Sequence, residues 1–212
     1  MVGMVYCINN VNEQITMSNQ AIQLEPGSYY HLYNHGVGGR DLFKNADNYE
    51  YFLALYEKYI SPIADTFAWV LMPNHFHLLI RIKDEAEIIE NSDINKPLHQ
   101  YFSNLFNAYS KAFNKRYGVR GALFERPFKR KQVDSVEYLK QVILYIHNNP
   151  VHHGFCSHPV EYPWSSYLSC VSVKPTRLQR QSVIGWFGSD ADFSYMHHGK
   201  VEVETIETWL EL

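Results

Sequence analysis

Long apolar runs are missing from this sequence, as are paired cysteines, internal repeats, low-complexity tracts and any excess of positive charge. No stretch approaches the roughly 18 apolar residues of a membrane-crossing helix, so a membrane partner is not expected. Residues 1–20 mix Asn, Gln and Glu with apolar residues and lack the basic start and apolar run of a signal peptide. Three cysteines, Cys7, Cys156 and Cys170, are widely spaced and odd in number. They make neither a CxxC metal clamp nor a disulfide framework, which points to a reducing cytoplasm. A net charge of -3 gives no global signal for nucleic acid, although a total can hide local patches.

What is present suits a folded enzyme or binding domain. The chain has 212 residues, 46% hydrophobic and 19% charged, enough for one domain with a substantial core and an appended segment. Aromatic residues make up 15%, with 16 tyrosines to divide between core and stacking surfaces.

Residues 1–27 read as a polar N-terminal extension ending in a Pro26–Gly27 turn. Residues 28–34 (SYYHLYN) suit a strand, and Gly36, Gly38 and Gly39 a flexible loop ending at Arg40. Tyr49, Phe52, Leu53, Tyr56 and Ile60 fall at helical spacing, with Asn45 or Asp47 as cap and Pro62 as stop. Residues 67–72 (FAWVLM) and 75–82 (HFHLLIRI) predict two strands of a hairpin broken at Pro73–Asn74. Residues 84–96 are polar and acidic, and read as a loop. Leu98, Phe102, Leu105, Tyr109 and Phe113 predict a long helix ended by Gly118 and Gly121. Residues 128–133 suit a strand, and 135–148 a helix capped by Asp134 or Ser135 and stopped by Pro150. This order predicts an α+β fold, an antiparallel sheet with helices packed mainly on one face.

Two short patterns carry chemistry. In His75-Phe76-His77 the imidazoles share one face of a strand, while Phe76, Leu78, Ile80 and Ile82 share the other. Side by side, the two histidines can grip one divalent ion, although a half-exposed strand also acquires such a pair by chance. In Tyr145-Ile146-His147-Asn148-Asn149-Pro150, Tyr145 and Asn149 lie one helical turn apart, at the edge of a stripe of Leu139, Val142, Ile143 and Ile146. A packing tyrosine followed by an asparagine at a helix end is the plainer alternative. His147 points elsewhere and ranks lower as a ligand. Together the patterns make sense of each other. A tyrosine hydroxyl, with a pKa of about 10, is a weak nucleophile unless a neighbouring cation polarises the phosphate it attacks.

MPNHFHLLI (72–80) resembles the His-hydrophobic-His signature of the HUH nucleases. Together with YHLYNHGVGGR (30–40), GALFERPFK (121–129), YIHNNPVHHGF (145–155) and EYPWSSY (161–167), it resembles the single-tyrosine transposases of that superfamily. Within them it resembles the REP-associated tyrosine transposases. The resemblance runs from about residue 28 to about 200 and implies a ferredoxin-like sheet; the chain divides into this domain at 28–155 and a C-terminal extension, 156–212, expected to pack on it. The same resemblance implies His75, His77 and Asn149 as ligands of Mg2+ or Mn2+, and Tyr145 as the nucleophile that forms a 5′-phosphotyrosine. The implied substrate is single-stranded DNA carrying an imperfect hairpin, with monomer and homodimer both open.

Lys115, Arg116, Arg120, Arg126, Lys129, Arg130 and Lys131 stand against a single Glu125 over 115–131, and Arg40 ends the glycine loop. These are the expected DNA-binding residues, with a solvated charged face as the alternative. Acidic stretches at 84–90 and 202–211 offset them and are expected to face away from DNA. Residues 184–187 and Trp209 are expected to pack on the domain, and His152, His153, His197 and His198 to lie in exposed loops. Two other functions compete. One is a domesticated hairpin-binding module without transposition activity. The other is an unrelated metal hydrolase acting through bound water.

Overall fold

A computed structural model describes residues 22–91, 93, 96–199 and 206–208. The expectations for Cys7, for Trp209 and for most of the first 27 residues and of the acidic 202–211 stretch lie outside the described residues.

The first strand, β1, runs Tyr29–His35. It is followed by α1 at Ala46–Tyr59, which starts where the Asn45 side chain accepts from the Asn48 amide. Strands β2 (Ala64–Leu71) and β3 (His75–Ile82) form the hairpin. A short α2 (Glu85–Asn91) precedes the long α3 (Leu98–Tyr117), which Gly118 closes in the left-handed conformation. Strand β4 is Lys129–Val133, and α4 is Val136–His152, capped by Ser135. Three further helices follow: α5 (Tyr167–Val171), α6 (Arg180–Phe187) and α7 (Asp190–His198). The sheet order is β2-β3-β1-β4, and every adjacent pair is antiparallel. Strand β3 therefore separates the co-directional β1 and β2, and β1 separates β3 and β4. These are the two split β-α-β units of a ferredoxin-like fold.

Strand alternation divides the sheet residues between two cores. Tyr30, Leu32, Phe76, Leu78, Ile80 and Ile82 pack with Phe52 of α1 and Phe102, Leu105 and Tyr109 of α3. On the opposite face Ala68, Val70 and Leu79 pack with Val142, Ile143 and Ile146 of α4, Val183 and Phe187 of α6, and Phe193 of α7. The α+β antiparallel class is as expected, but the helices are not confined mainly to one face. The crossover helices α1 and α3 take one side; α4 to α7 cover the other, because β3 is apolar or buried along nearly its whole length.

Three local expectations change. Strand β2 starts at Ala64, where Ala64, Asp65 and Thr66 pair with β3 ahead of a bulge between Thr66 and Ala68 that interrupts the alternation. Residues 85–91 are helical: the Asp84 amide donates to the Glu87 carboxylate at 3.2 Å, one half of a capping box. Pro150 does not stop α4, which continues to His152. It sits in the last turn, where the His153 amide still reaches the Asn149 carbonyl at 3.0 Å and the Phe155 amide reaches Pro150 at 2.8 Å. In the glycine loop, Val37–Gly39 forms a 3-10 turn, and a Cβ at Gly36 would strike the Arg40 carbonyl.

Phe76 is 1% exposed among Phe52, Phe106 and Phe124. Phe76→Ala is expected to cost about 3–5 kcal/mol in urea unfolding. A loss below about 1 kcal/mol would mean that this core is not closed around it.

Candidate functional site

The face of the sheet away from α1 and α3 carries an imidazole array. Alternation puts His75 and His77 of β3 on it, together with His31, Tyr33 and His35 of β1. His35 pairs with His75 across the strands, and their rings stack with centroids 5.1 Å apart. Helix α4 crosses this face. It sets the Tyr145 ring 5.2 Å from that of His77 and the Asn149 Oδ1 3.0 Å from His75 Nε2. One turn on, His153 brings its ring to 5.1 Å from His75. Tyr145, His77 and Asn149 are all at most 3% exposed.

Protonation follows from burial. His75 is pushed down to about 4 by desolvation, against the help of its Asn149 contact. His77 lies well below its usual range, through desolvation first and then the neighbouring imidazoles. Desolvation likewise lowers His31 to about 3. All three are neutral at pH 7, the form in which imidazole binds a metal. Burial raises the Tyr145 hydroxyl pKa, the Glu207 carboxylate and Tyr33 add to the rise, and Asn149 opposes it. The hydroxyl therefore keeps its proton.

The tautomers show whether a cation fits. His77 Nδ1 lies 3.0 Å from His31 Nε2, and His75 Nδ1 lies 2.8 Å from Asn74 Oδ1. If each Nδ1–H donates outward, as metal-bound histidines are usually held, both Nε2 lone pairs are left free, and that of His75 faces the Asn149 side chain. His75 Nε2 and Asn149 Oδ1 are then two acceptors 3.0 Å apart with no hydrogen between them. Asn149 Nδ2 and His31 Nδ1 are buried without hydrogen-bond partners among the described residues. A divalent ion would resolve the acceptor pair, since cis ligands of an octahedral ion at about 2.1 Å are themselves about 3.0 Å apart. Among the described residues no three His, Cys, Asp or Glu side chains converge on a metal position. The set that fits is two histidines and an amide.

The expected DNA-contact residues do not form one surface. Lys129 and Lys131 register with Tyr33 and His31, so they share the face of His75 and His77. Lys129 Nζ sits 5.8 Å from the Tyr33 ring centroid. Arg130 points the opposite way, over the Phe128 ring and toward the Ile22 carbonyl. Arg126 donates to Asn107 at 3.3 Å beside a groove of about 1410 Å3. Arg116 is paired with Asp47 at 2.7 Å, next to the N-terminus of α1. Arg40, Lys115 and Arg120 are exposed. Tyr109 and Tyr117 are packing residues whose hydroxyls donate to the Leu42 carbonyl and the Asn48 side chain.

Sequence reasoning gave no role to His31, Tyr33, His35 or His153. The signals were there: an aromatic or imidazole ring at every second position of 29–35, and an i, i+4, i+8 series from Tyr145 through Asn149 to His153. His197 is corrected from an exposed loop to a buried position, 2% exposed in the last turn of α7, where apolar neighbours enclose it.

These buried neutral histidines predict acid sensitivity. His31, His75 and His197, the last also lowered to about 4 by burial, resist protonation when folded but titrate near 6.5 when unfolded. The unfolded state binds more protons between those values. Stability is therefore retained above pH 6.5 and lost as pH falls toward 4, by about 1.4 kcal/mol per pH unit for each such group. Urea unfolding should show a loss on the order of a few kcal/mol from pH 7 to pH 5. Equal stability at both pH values would refute burial in the neutral form.

The family model described as "Transposase IS200 like" matches residues 28–149. A solved structure of a REP-associated tyrosine transposase bound to a REP hairpin matches the fold with a TM-score of 0.56. It is 18% identical, over 75% of this chain and 89% of that one. No curated protein matches the chain. No helix among the described residues is long and apolar enough to cross a membrane.

Proposed function

The chain belongs to the IS200-like transposase family, and from that premise we propose that it cuts and rejoins single-stranded DNA beside a hairpin through Tyr145. The observation that carries this is the meeting of α4 with β3, where Tyr145 stands over His77 and Asn149 over His75.

Tyr145 Oη attacks a backbone phosphorus, forming an O–P bond as the P–O3′ bond breaks. The tyrosine proton is released and the departing strand takes up one as its 3′-hydroxyl. The 5′-phosphate stays on the enzyme. Attack by another 3′-hydroxyl reverses the step, so no external energy source is needed. His75 Nε2, His77 Nε2 and Asn149 Oδ1 would hold a divalent cation, Mg2+ or Mn2+. Bound there, it would polarise the phosphate oxygens and offset the charge that builds on them. The Asn74 oxygen, which can only accept, holds His75 as its Nδ1–H tautomer, and His31 holds the orientation of the His77 ring. The helical spacing of Tyr145 and Asn149 holds the nucleophile and the amide in one register.

Incubation with a labelled single-stranded hairpin and Mn2+ is expected to give a covalent protein–DNA adduct. One observation favours a second reading. Tyr145 is 3% exposed, so in this conformation the chain is equally suited to bind hairpins without cutting them. Binding with no adduct would select that reading.

Lys129 flanks the site and is exposed. Lys129→Ala is expected to weaken single-stranded DNA binding and reduce the slope of log K against log salt by about 0.7, one phosphate contact. Arg116→Ala should leave the slope unchanged, because that charge is already paired with Asp47.

A further inference from the structure

Helix α4 carries a second imidazole that faces away from the site. His147 lies between Tyr145 and Asn149 in sequence, about 200° around the helix from Tyr145. It is fully buried, and both of its ring nitrogens are engaged. Nδ1 lies 2.9 Å from His197 Nε2, and Nε2 lies 2.8 Å from Ser166 Oγ. His197 Nδ1 lies 2.7 Å from the Phe193 carbonyl, and Ser166 Oγ accepts from the Trp69 amide at 2.8 Å.

The ends of this chain fix its direction. A carbonyl can only accept, so His197 Nδ1–H donates to Phe193. A neutral His197 then accepts at Nε2, and His147 Nδ1–H donates to it. His147 in turn accepts at Nε2 from the Ser166 hydroxyl, whose oxygen takes the Trp69 N–H. Every hydrogen has an acceptor in this one arrangement. The chain ties the edge strand β2 through α4 to α7, and Ser166 and His197 both lie beyond the residues the family model covers.

We propose that Ser166, His147 and His197 form a positioning relay, by which the C-terminal segment sets the rotation of α4 and hence the placement of Tyr145 and Asn149. The proposal rests on the reading of Tyr145 as nucleophile only for its effect on rate; its geometric content stands apart. A helix held at both nitrogens of one buried imidazole cannot rotate without leaving polar groups unpaired in an apolar surround. Phe193 and Tyr167 enclose the relay, and no water route is needed to satisfy it.

The test uses the full chain. Long-range 15N–1H spectra of the imidazoles should show both His147 and His197 as Nδ1–H tautomers; an Nε2–H form of either overturns the relay. His197→Phe keeps an aromatic ring but removes the acceptor, whereas His197→Gln can present an oxygen to His147. The Tyr145 ring resonances, assigned with Tyr145→Phe, should shift in His197→Phe and return in His197→Gln. The rate of adduct formation should fall about 10- to 100-fold in His197→Phe with hairpin affinity unchanged, and recover to within about threefold in His197→Gln. Unshifted Tyr145 resonances in His197→Phe overturn the proposal. So does failure of His197→Gln to recover, which marks a packing role. If His197→Phe does not fold, Ser166→Ala is read in the same way. If the wild-type protein forms no adduct at all, the proposed function fails, while tautomers and Tyr145 resonances still decide the relay.

Discussion

Tyr145→Phe is expected to abolish the covalent protein–DNA adduct, lowering strand cleavage at least about 1000-fold, while hairpin binding survives. The substitution removes one oxygen from a ring packed edge-on against His77 and His31, so the aromatic contacts persist. The hydroxyl sits where burial holds its pKa above the ordinary value, and the Glu207 carboxylate adds to that hold. Removing a polar group from such a place should leave stability within about 1 kcal/mol of wild type. The fold and the DNA surface are therefore kept, and only the attacking atom is lost. An adduct formed by Tyr145→Phe at the wild-type rate would reassign the nucleophile. A water-dependent hydrolase, the other enzyme class considered, predicts near-normal cleavage by this variant and no adduct from either protein.

The second large effect is expected from His75→Ala combined with His77→Ala. Cleavage should fall at least about 1000-fold, Mn2+ binding measured by calorimetry should disappear, and a chelator should reproduce the loss in the wild-type protein. Cleavage persisting at full rate in EDTA would remove the metal from the reaction. The structure adds a control that activity alone does not give. Both imidazoles are buried and resist protonation, so each contributes to the loss of stability in acid. Without them the drop in unfolding free energy between pH 7 and pH 5 should shrink relative to wild type. The vacated space and the unpaired His31 Nε2 carry a cost of their own at pH 7, which the pH difference cancels.

Much of this molecule was legible before its structure. Alternation in the β3 sequence places His75 and His77 opposite Phe76, Leu78, Ile80 and Ile82, and the two faces of the sheet divide them that way. The Asn45 and Ser135 caps and the glycine at the end of α3 were local signals that local structure obeyed. Other signals were misread because two influences competed at one position. Pro150 usually ends a helix, yet buried packing carries α4 one turn further. The acidic residues after Asp84 have the polarity of a loop, yet they are helical, with the Glu87 carboxylate accepting from the Asp84 amide at the start.

Residue pattern alone dictates the order of β1, α1, β2, β3, α3, β4 and α4, the α+β class, the face of β3 that bears the two histidines and the one-turn spacing of Tyr145 and Asn149. These are periodic properties, written in residues a few positions apart. Packing of the whole chain places α4 across that face, brings His31 and Asn74 to orient the histidines, and splits 115–131 between surfaces. It also joins Ser166, His147 and His197. Those relations depend on strand order and on which helix covers which face, so, apart from the neighbouring Asn74 and His75, they join residues 19 to 74 positions apart. No local pattern encodes such a pairing, because the contacts arise only when burial of both sheet faces brings distant segments together.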